Sequence, residues 1–288
     1  MPIYDLSLLM PTTPLAYSGF ISENYDRYLG PYIFDLYARH LVEYAASGMP
    51  QPETILEIAC GTGRVTRHLQ KTFPNARIIA TDISNDMLTI ARQLTTGTNI
   101  DWQIADAQEL PFDDHSFDLV IFQFGLMFVP DKQKALAETH RVLAPGGRLL
   151  LGTWDTLENN PAFDLADKVV KKYFPIDPPG FFHAPFSLHD DDQLITWAKD
   201  AGFTNVHASL VQLTAFSPSA ADTAAGMLEG TLMYATLNEL APGQLPIIKE
   251  DLTKALAQKF GEAPLVSPTG AWVVEASTLS PGPTGMST

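Results

Sequence analysis

Between Asn24 and Ala46 the apolar positions Tyr28, Tyr32, Ile33, Leu36, Tyr37, Leu41, Val42 and Tyr44 recur at helical spacing, which predicts one helix, closed by Pro50 and Pro52. Strand-like runs follow at 54–59, 77–81, 100–104, 117–124 and 147–153, separated by helical patterns at 63–73, 85–94 and 131–142. Strands alternating with helices predict βαβ units, a parallel sheet covered on both faces, and right-handed crossovers. After Thr153 the alternation stops. A helix is expected at 160–174, a Pro-, Phe- and His-rich loop at 175–189, and a helix at 190–201 between three aspartates and Gly202. A strand at 203–213 and helical patterns at 219–240 and 244–260, parted by Ala241-Pro242-Gly243, lead to a last strand at 271–277. Residues 1–20 read as an extended arm, and the tail from Ser280 as disordered.

Composition narrows the class. With 288 residues, 45% of them hydrophobic, the chain can build one large α/β core with a cap. A formal charge of −15 opposes a broad nucleic-acid footprint and an anionic membrane surface. The single cysteine, Cys60, permits no internal disulfide and favours a reducing compartment. The start lacks the basic-then-apolar signature of a leader, and no apolar run reaches the ~18–20 residues of a membrane span. A cytoplasmic protein is the expectation, with no membrane partner, no nucleic-acid partner and no metal; a homodimer is allowed.

The chemistry concentrates at four strand ends. Ile55 to Ile58 run into Ala59-Cys60-Gly61-Thr62-Gly63 and then a helical pattern, so backbone N–H groups and a helix N-terminus face a ligand that approaches the glycines closely. Asp82 ends the second strand about 20 residues on, where an acid can accept hydrogen bonds from a ribose diol. Asp106 ends the third, and Phe117–Phe122 lead into Gln123-Phe124-Gly125. A bare G-x-G is weak, and Thr66 replaces the third glycine of a dinucleotide fingerprint. Glu57, Asp82 and Asp106 supply three carboxylates with no phosphate-binding lysine nearby. Such a site repels polyphosphates and suits a ligand with a cationic amine, a ribose and an adenine, which Ile83 and Met87 could sandwich.

These blocks together resemble class I S-adenosylmethionine-dependent methyltransferases, in the branch of small-molecule and quinone-biosynthesis enzymes. The resemblance covers about 53–153. It rests on Leu56-Glu57-Ile58-Ala59-Cys60-Gly61-Thr62-Gly63, Thr81-Asp82-Ile83-Ser84, Ala105-Asp106-Ala107, Leu110-Pro111-Phe112-Asp113, Phe117-Asp118-Leu119-Val120 and Leu143-Ala144-Pro145-Gly146-Gly147-Arg148-Leu149. It implies an α/β, Rossmann-like doubly wound, mostly parallel seven-stranded sheet with a helical lid and inserted cap helices. The implied division is an arm and lid at 1–52, a cofactor-binding core at 53–153, cap insertions and last strands at 154–279, and a tail at 280–288. The implied cofactor is S-adenosyl-L-methionine. Glu57, Gly61 and Gly63 would surround its methionine part, Asp82 its ribose, Ile83 and Met87 its adenine faces, Asp106 and Ala107 the adenine edge, and Gln123 and Phe124 the sulfonium. Tyr17, Tyr25 and Tyr28 would belong to the lid.

Catalytic candidates are His183, His189 and Tyr25; a histidine could act as a base, which is needed only where the acceptor must first lose a proton. Cys60 and Asp118 read as packing and loop-anchoring residues, and Asp113-Asp114-His115 as a solvated turn. His140 reads as a surface or packing residue. Asp177-Pro178-Pro179 resembles the motif of amino-group methyltransferases but is misplaced after the fifth strand. Phe174, Phe181, Phe182, Phe186, Met227, Leu228, Met233 and Tyr234 could line an apolar acceptor pocket, although packing of the cap is the stronger reading for most. The expected activity is methyl transfer to a small or medium-sized organic acceptor. Rival readings are a non-catalytic S-adenosylmethionine-binding protein, a methyltransferase fold repurposed for cyclisation, and a nicotinamide-dependent dehydrogenase.

Overall fold

The computed structural model describes residues 19–48, 51–97, 99–174 and 180–280. Tyr17, Asp177-Pro178-Pro179, most of the expected arm and most of the expected tail lie outside them. Seven strands form one sheet: β1 (Thr54–Ile58), β2 (Arg77–Asp82), β3 (Ile100–Ile104), β4 (Phe117–Gln123), β5 (Leu143–Trp154), β6 (Thr204–Ser217) and β7 (Leu265–Ser277). Their order is β3-β2-β1-β4-β5-β7-β6, parallel except for β7, which runs antiparallel to both neighbours. Strand order reverses between β1 and β4, so their carboxyl ends flank a crevice, the usual ligand position in open α/β sheets.

Central strands are apolar on both sides, as burial on both faces requires. Ile55, Leu119, Ile121, Leu150 and Val273 pack with Ala38, Leu41, Val65 and Leu69 on one face. Leu56, Val120, Phe122, Leu149, Leu151 and Val274 pack on the other with Leu136 and Ala198. Those layers hold α2 (Asp35–Ser47) and α3 (Arg64–Thr72) on the first face, α5 (Lys132–Val142) and α7 (Asp191–Asp200) on the second, while α4 (Asn85–Leu94) follows β2.

Four expectations need correction. The helix predicted from Asn24 to Ala46 is a π-helical stretch, Tyr25–Phe34, followed by α2, and a short α1 (Phe20–Asn24) precedes them. Pro31 has no N–H and crowds the preceding turn, and the stretch ends with Asp35 N–H bonded to Gly30 O, five residues back. Secondly, Pro145-Gly146-Gly147 lies inside β5 rather than before it; pairing jumps from Phe117↔Leu143 to Leu119↔Arg148. Thirdly, β6 and β7 extend beyond the expected 203–213 and 271–277, as a two-stranded ribbon past the end of β5. Lastly, the pattern at 219–240 breaks into α8 (Ala220–Glu229) and α9 (Met233–Leu240) before α10 (Leu245–Phe260). Gly230 caps the end of α8 where no side chain fits, because a Cβ there would lie 2.8 Å from the Tyr25 nitrogen. The helix expected at 160–174 is α6 (Pro161–Lys171).

Candidate cofactor and acceptor site

The turn after β1 is shaped by backbone torsions. Ala59, Gly61 and Gly63 have φ of 55°, 55° and 77°, the left-handed region that glycine enters most easily. A Cβ on Gly63 would lie 2.9 Å from the Trp102 ring, whereas above Gly61 a Cβ would meet open space. The backbone can therefore be approached closely at Gly61. Asp82 pins the turn: its Oδ2 accepts Gly61 N–H at 2.8 Å and its Oδ1 accepts Ser84 N–H at 2.8 Å. Burial raises its pKa while these backbone bonds oppose the rise. Ser84 in turn caps α4, accepting Met87 N–H.

Glu57 is 2% exposed, and its Oε2 accepts the Thr66 hydroxyl at 2.5 Å. The residue that replaces the third fingerprint glycine therefore holds the β1 acid. Burial pushes the Glu57 carboxyl up to about 8, against the pull of the Thr66 bond and Arg67. Asp106 accepts Gln108 N–H at 2.8 Å and the Gln108 side-chain amide at 3.1 Å. Beside Asp82 stand two exposed isoleucines, Ile83 at 65% and Ile104 at 57%, with Met87 buried behind them. Single apolar residues are unremarkable on a surface; two at adjacent strand ends make a flat apolar shelf. Ala107 packs onto the core. Gln123 ends β4, its buried Oε1 without a partner among the described residues, and Phe124 turns out of the strand at φ 54°.

Past β4 and β5 lies an aromatic wall. Phe124 stacks on Trp154 with centroids 3.6 Å apart and planes within 5°. Tyr37 meets both rings edge-on, Phe34 meets Phe124 at 6.1 Å, Tyr25 stacks on Phe34, and Phe186 reaches Trp154. Sequence reasoning missed Trp154, Phe34 and Tyr37. Trp154 was findable as the last residue of a buried strand at the ligand edge; the other two meet it only through the bend at Pro31.

The lid is tied to the glycine turn by charge. Asp26 Oδ1 accepts the Thr62 hydroxyl at 2.7 Å and Arg64 Nε at 3.1 Å, and the Asp26 carbonyl accepts Arg64 at 2.7 Å. Gly30 leaves room for that guanidinium, since a Cβ would lie 2.2 Å from it. Asp35 pairs with His68 at 3.1 Å.

Of the catalytic candidates, Tyr25 belongs to the wall. His183 ends a 3-10 turn (Phe181–His183) and lies 3.0 Å from Lys171 and 3.5 Å from the buried Asp167, both on α6. His189 is exposed just before α7. Met227, Leu228 and Met233 are fully buried and pack the cap. Asp118 accepts the Glu53 and Thr54 N–H groups, and Cys60 is buried. Arg141 pairs with Asp114 at 2.8 Å. His140 is half-buried against Phe203, with its pKa lowered by burial. Among the described residues no helix is long and apolar enough to cross a membrane, and no His, Cys, Asp and Glu group could hold a metal ion.

This sheet order, with acids at three successive strand ends and a glycine turn between β1 and α3, defines a class I S-adenosylmethionine-dependent methyltransferase. A methyltransferase-domain family model matches residues 56–151. The ubiquinone/menaquinone biosynthesis C-methyltransferase UbiE of Desulfotalea psychrophila is 33% identical over 177 residues, covering 57% of this chain and 70% of that one. Among solved structures, the YcgJ protein of Bacillus subtilis has a TM-score of 0.54 at 16% identity, covering 84% of this chain and 99% of that one. A Haemonchus contortus phosphoethanolamine N-methyltransferase holding S-adenosylhomocysteine has a TM-score of 0.53 at 17% identity, covering 84% and 52%. The chain belongs to the S-adenosylmethionine-dependent methyltransferases of the UbiE-like type, and the dehydrogenase alternative falls away.

The residues present fit that cofactor. Open space over Gly61, the apolar shelf at Ile83 and Ile104, the carboxylate set and the unpartnered Gln123 oxygen match a cationic sulfur nucleoside and offer nothing to a pyrophosphate.

Proposed function

We propose that this enzyme passes the methyl group of S-adenosylmethionine to a small or medium-sized, mainly apolar and planar acceptor lying against the Phe124–Trp154 wall. That stack, at the end of the two strands beside the cofactor crevice, is the observation that carries the reading. The C-methyltransferase names of the relatives favour carbon as the receiving atom. Bound cofactor supplies an already activated sulfonium methyl. The acceptor would supply the electron pair of the new bond and lose its proton to water or a nearby base, while sulfur would keep the pair of the broken sulfur–methyl bond.

The chain's own work is then alignment and exclusion of water. Asp82 would hold the ribose, Ile83 and Met87 the adenine faces, and Asp106 with Ala107 the adenine edge. Glu57, Gly61 and Gly63 would surround the methionine part, and Gln123 and Phe124 the sulfonium. Tyr25 is the proton-handling candidate with a ring in the wall; His183 is held by Asp167 and Lys171. The net charge of −15 supports a small-molecule acceptor over nucleic acid, and the single cysteine supports a cytoplasmic location.

The test is methyl-labelled S-adenosylmethionine offered with reduced quinols, simple phenols and amines. Turnover of an aromatic acceptor is expected, with Trp154→Ala raising its KM about tenfold, the scale of losing one aromatic contact in a pocket, at unchanged S-adenosylhomocysteine affinity. Transfer to amines alone, or no effect of Trp154→Ala on acceptor KM, would refute the reading.

A further inference from the structure

We infer that Ser22 and Asn24, on the buried face of α1, receive the carboxylate end of the cofactor's amino-acid part. Placement comes first. Helix α1 packs against both α8 and α4, the helix that follows β2 and Asp82. Two residues beyond Asn24, Asp26 is bonded to Thr62 and Arg64, which holds this end of the lid directly on the glycine turn.

The second observation is polar accounting. Ser22 is fully buried and Asn24 is 8% exposed, yet among the described residues neither Ser22 Oγ nor Asn24 Nδ2 has a hydrogen-bond partner. Buried donors without partners are costly and uncommon, and they mark a place where something else completes them. At the end of β4 the atom without a partner among the described residues is an acceptor, Gln123 Oε1, suited to an amine, whereas on α1 the two are donors.

Charge decides which part of the cofactor they suit. Asp82 and Asp106 can accept from a ribose diol and an exocyclic amino group, but each repels a carboxylate. Nearby cations are already engaged: Arg64 with Asp26 and Asp35, Arg67 with the Thr62 carbonyl and Asp26. On α1 a hydroxyl and an amide N–H are buried donors without a partner among the described residues. Being neutral, they are not drawn onto the neighbouring acids. The Asp26–Arg64 tie thus acts as a positioning device, setting α1 over the turn.

This inference rests on the family assignment and needs no acceptor. Titration calorimetry on the full chain, with S-adenosylhomocysteine and with its decarboxylated analogue, tests it. Asn24→Ala should weaken S-adenosylhomocysteine about tenfold and leave the analogue within about twofold, the scale of one hydrogen bond to a charged group. Asn24→Asp keeps the shape, reverses the sign, and should weaken S-adenosylhomocysteine by about a hundredfold while sparing the analogue. Equal losses for both ligands, or no loss for S-adenosylhomocysteine, would overturn the assignment and leave the family reading intact, as would the same pattern traced instead to the first-turn N–H groups of α3. A wild-type chain that binds neither nucleoside would overturn both.

Discussion

Glu57 makes stability depend on pH in an unusual direction. Its carboxyl rises from an ordinary 4.5 to about 8 in the fold, because burial disfavours the charged form. A raised native pKa means that the folded chain keeps a proton which the unfolded chain releases first. The stabilisation is therefore complete below about pH 4.5 and is lost as pH climbs through 8. At roughly 1.4 kcal/mol per pH unit the ceiling on that loss is about 5 kcal/mol; water penetration at a buried site brings the measurable change to about 2 kcal/mol. Glu57→Gln retains an oxygen for the Thr66 hydroxyl and removes the titration. Urea denaturation of both proteins at several pH values between 4.5 and 9 isolates the effect as a difference. The Gln variant should gain on the wild type steadily from pH 5 to 8, and the gap should then level off. A gap that stays constant across this range would mean that Glu57 is ionised in the fold, and the burial argument would fail.

Three further outcomes follow from the site. Asp82→Ala should weaken S-adenosylhomocysteine by about a hundredfold in calorimetry, since two backbone N–H groups lose their acceptor along with the expected ribose contact; unchanged affinity would remove Asp82 from the cofactor site. Gly63→Ala should lower stability by about 1–3 kcal/mol in denaturant, combining a φ of 77° with a Cβ 2.9 Å from the Trp102 ring. Gly30→Ala should displace the flexible Arg64 side chain rather than unfold the chain, so hydrogen exchange should quicken over residues 20–34 and KM for S-adenosylmethionine should rise while Tm moves little.

The parallel half of the sheet was legible because β1, β2 and β4 are short apolar runs stopped by Gly or Asp, and their ends fall at the chemistry. Asp82 and Asp106 could be placed at strand ends from spacing alone. The antiparallel ribbon was not legible at full length. Along β6 the exposed positions switch from Asn205, His207 and Ser209 to Leu210, Gln212, Thr214 and Phe216, because α7 covers one face of its first half and the lid the other face of its second. No single period describes such a strand. The Asp26–Thr62–Arg64 tie joins residues 36 and 38 apart through a π-helical bend, and local pattern carries no trace of it. The bond from the Thr66 hydroxyl to Glu57 ties the β1 acid to the first turn of α3, and no local periodicity announces it.

The lone thiol turns the glycine turn into its own reporter. Cys60 is buried immediately before Gly61, and burial holds its ionisation well above the ordinary thiol range. An alkylating reagent therefore meets it only when that turn opens. The labelling rate at one site, followed by mass alone, converts directly into the opening equilibrium of the loop, and slowing by added nucleoside yields its affinity without any acceptor, label or engineered residue.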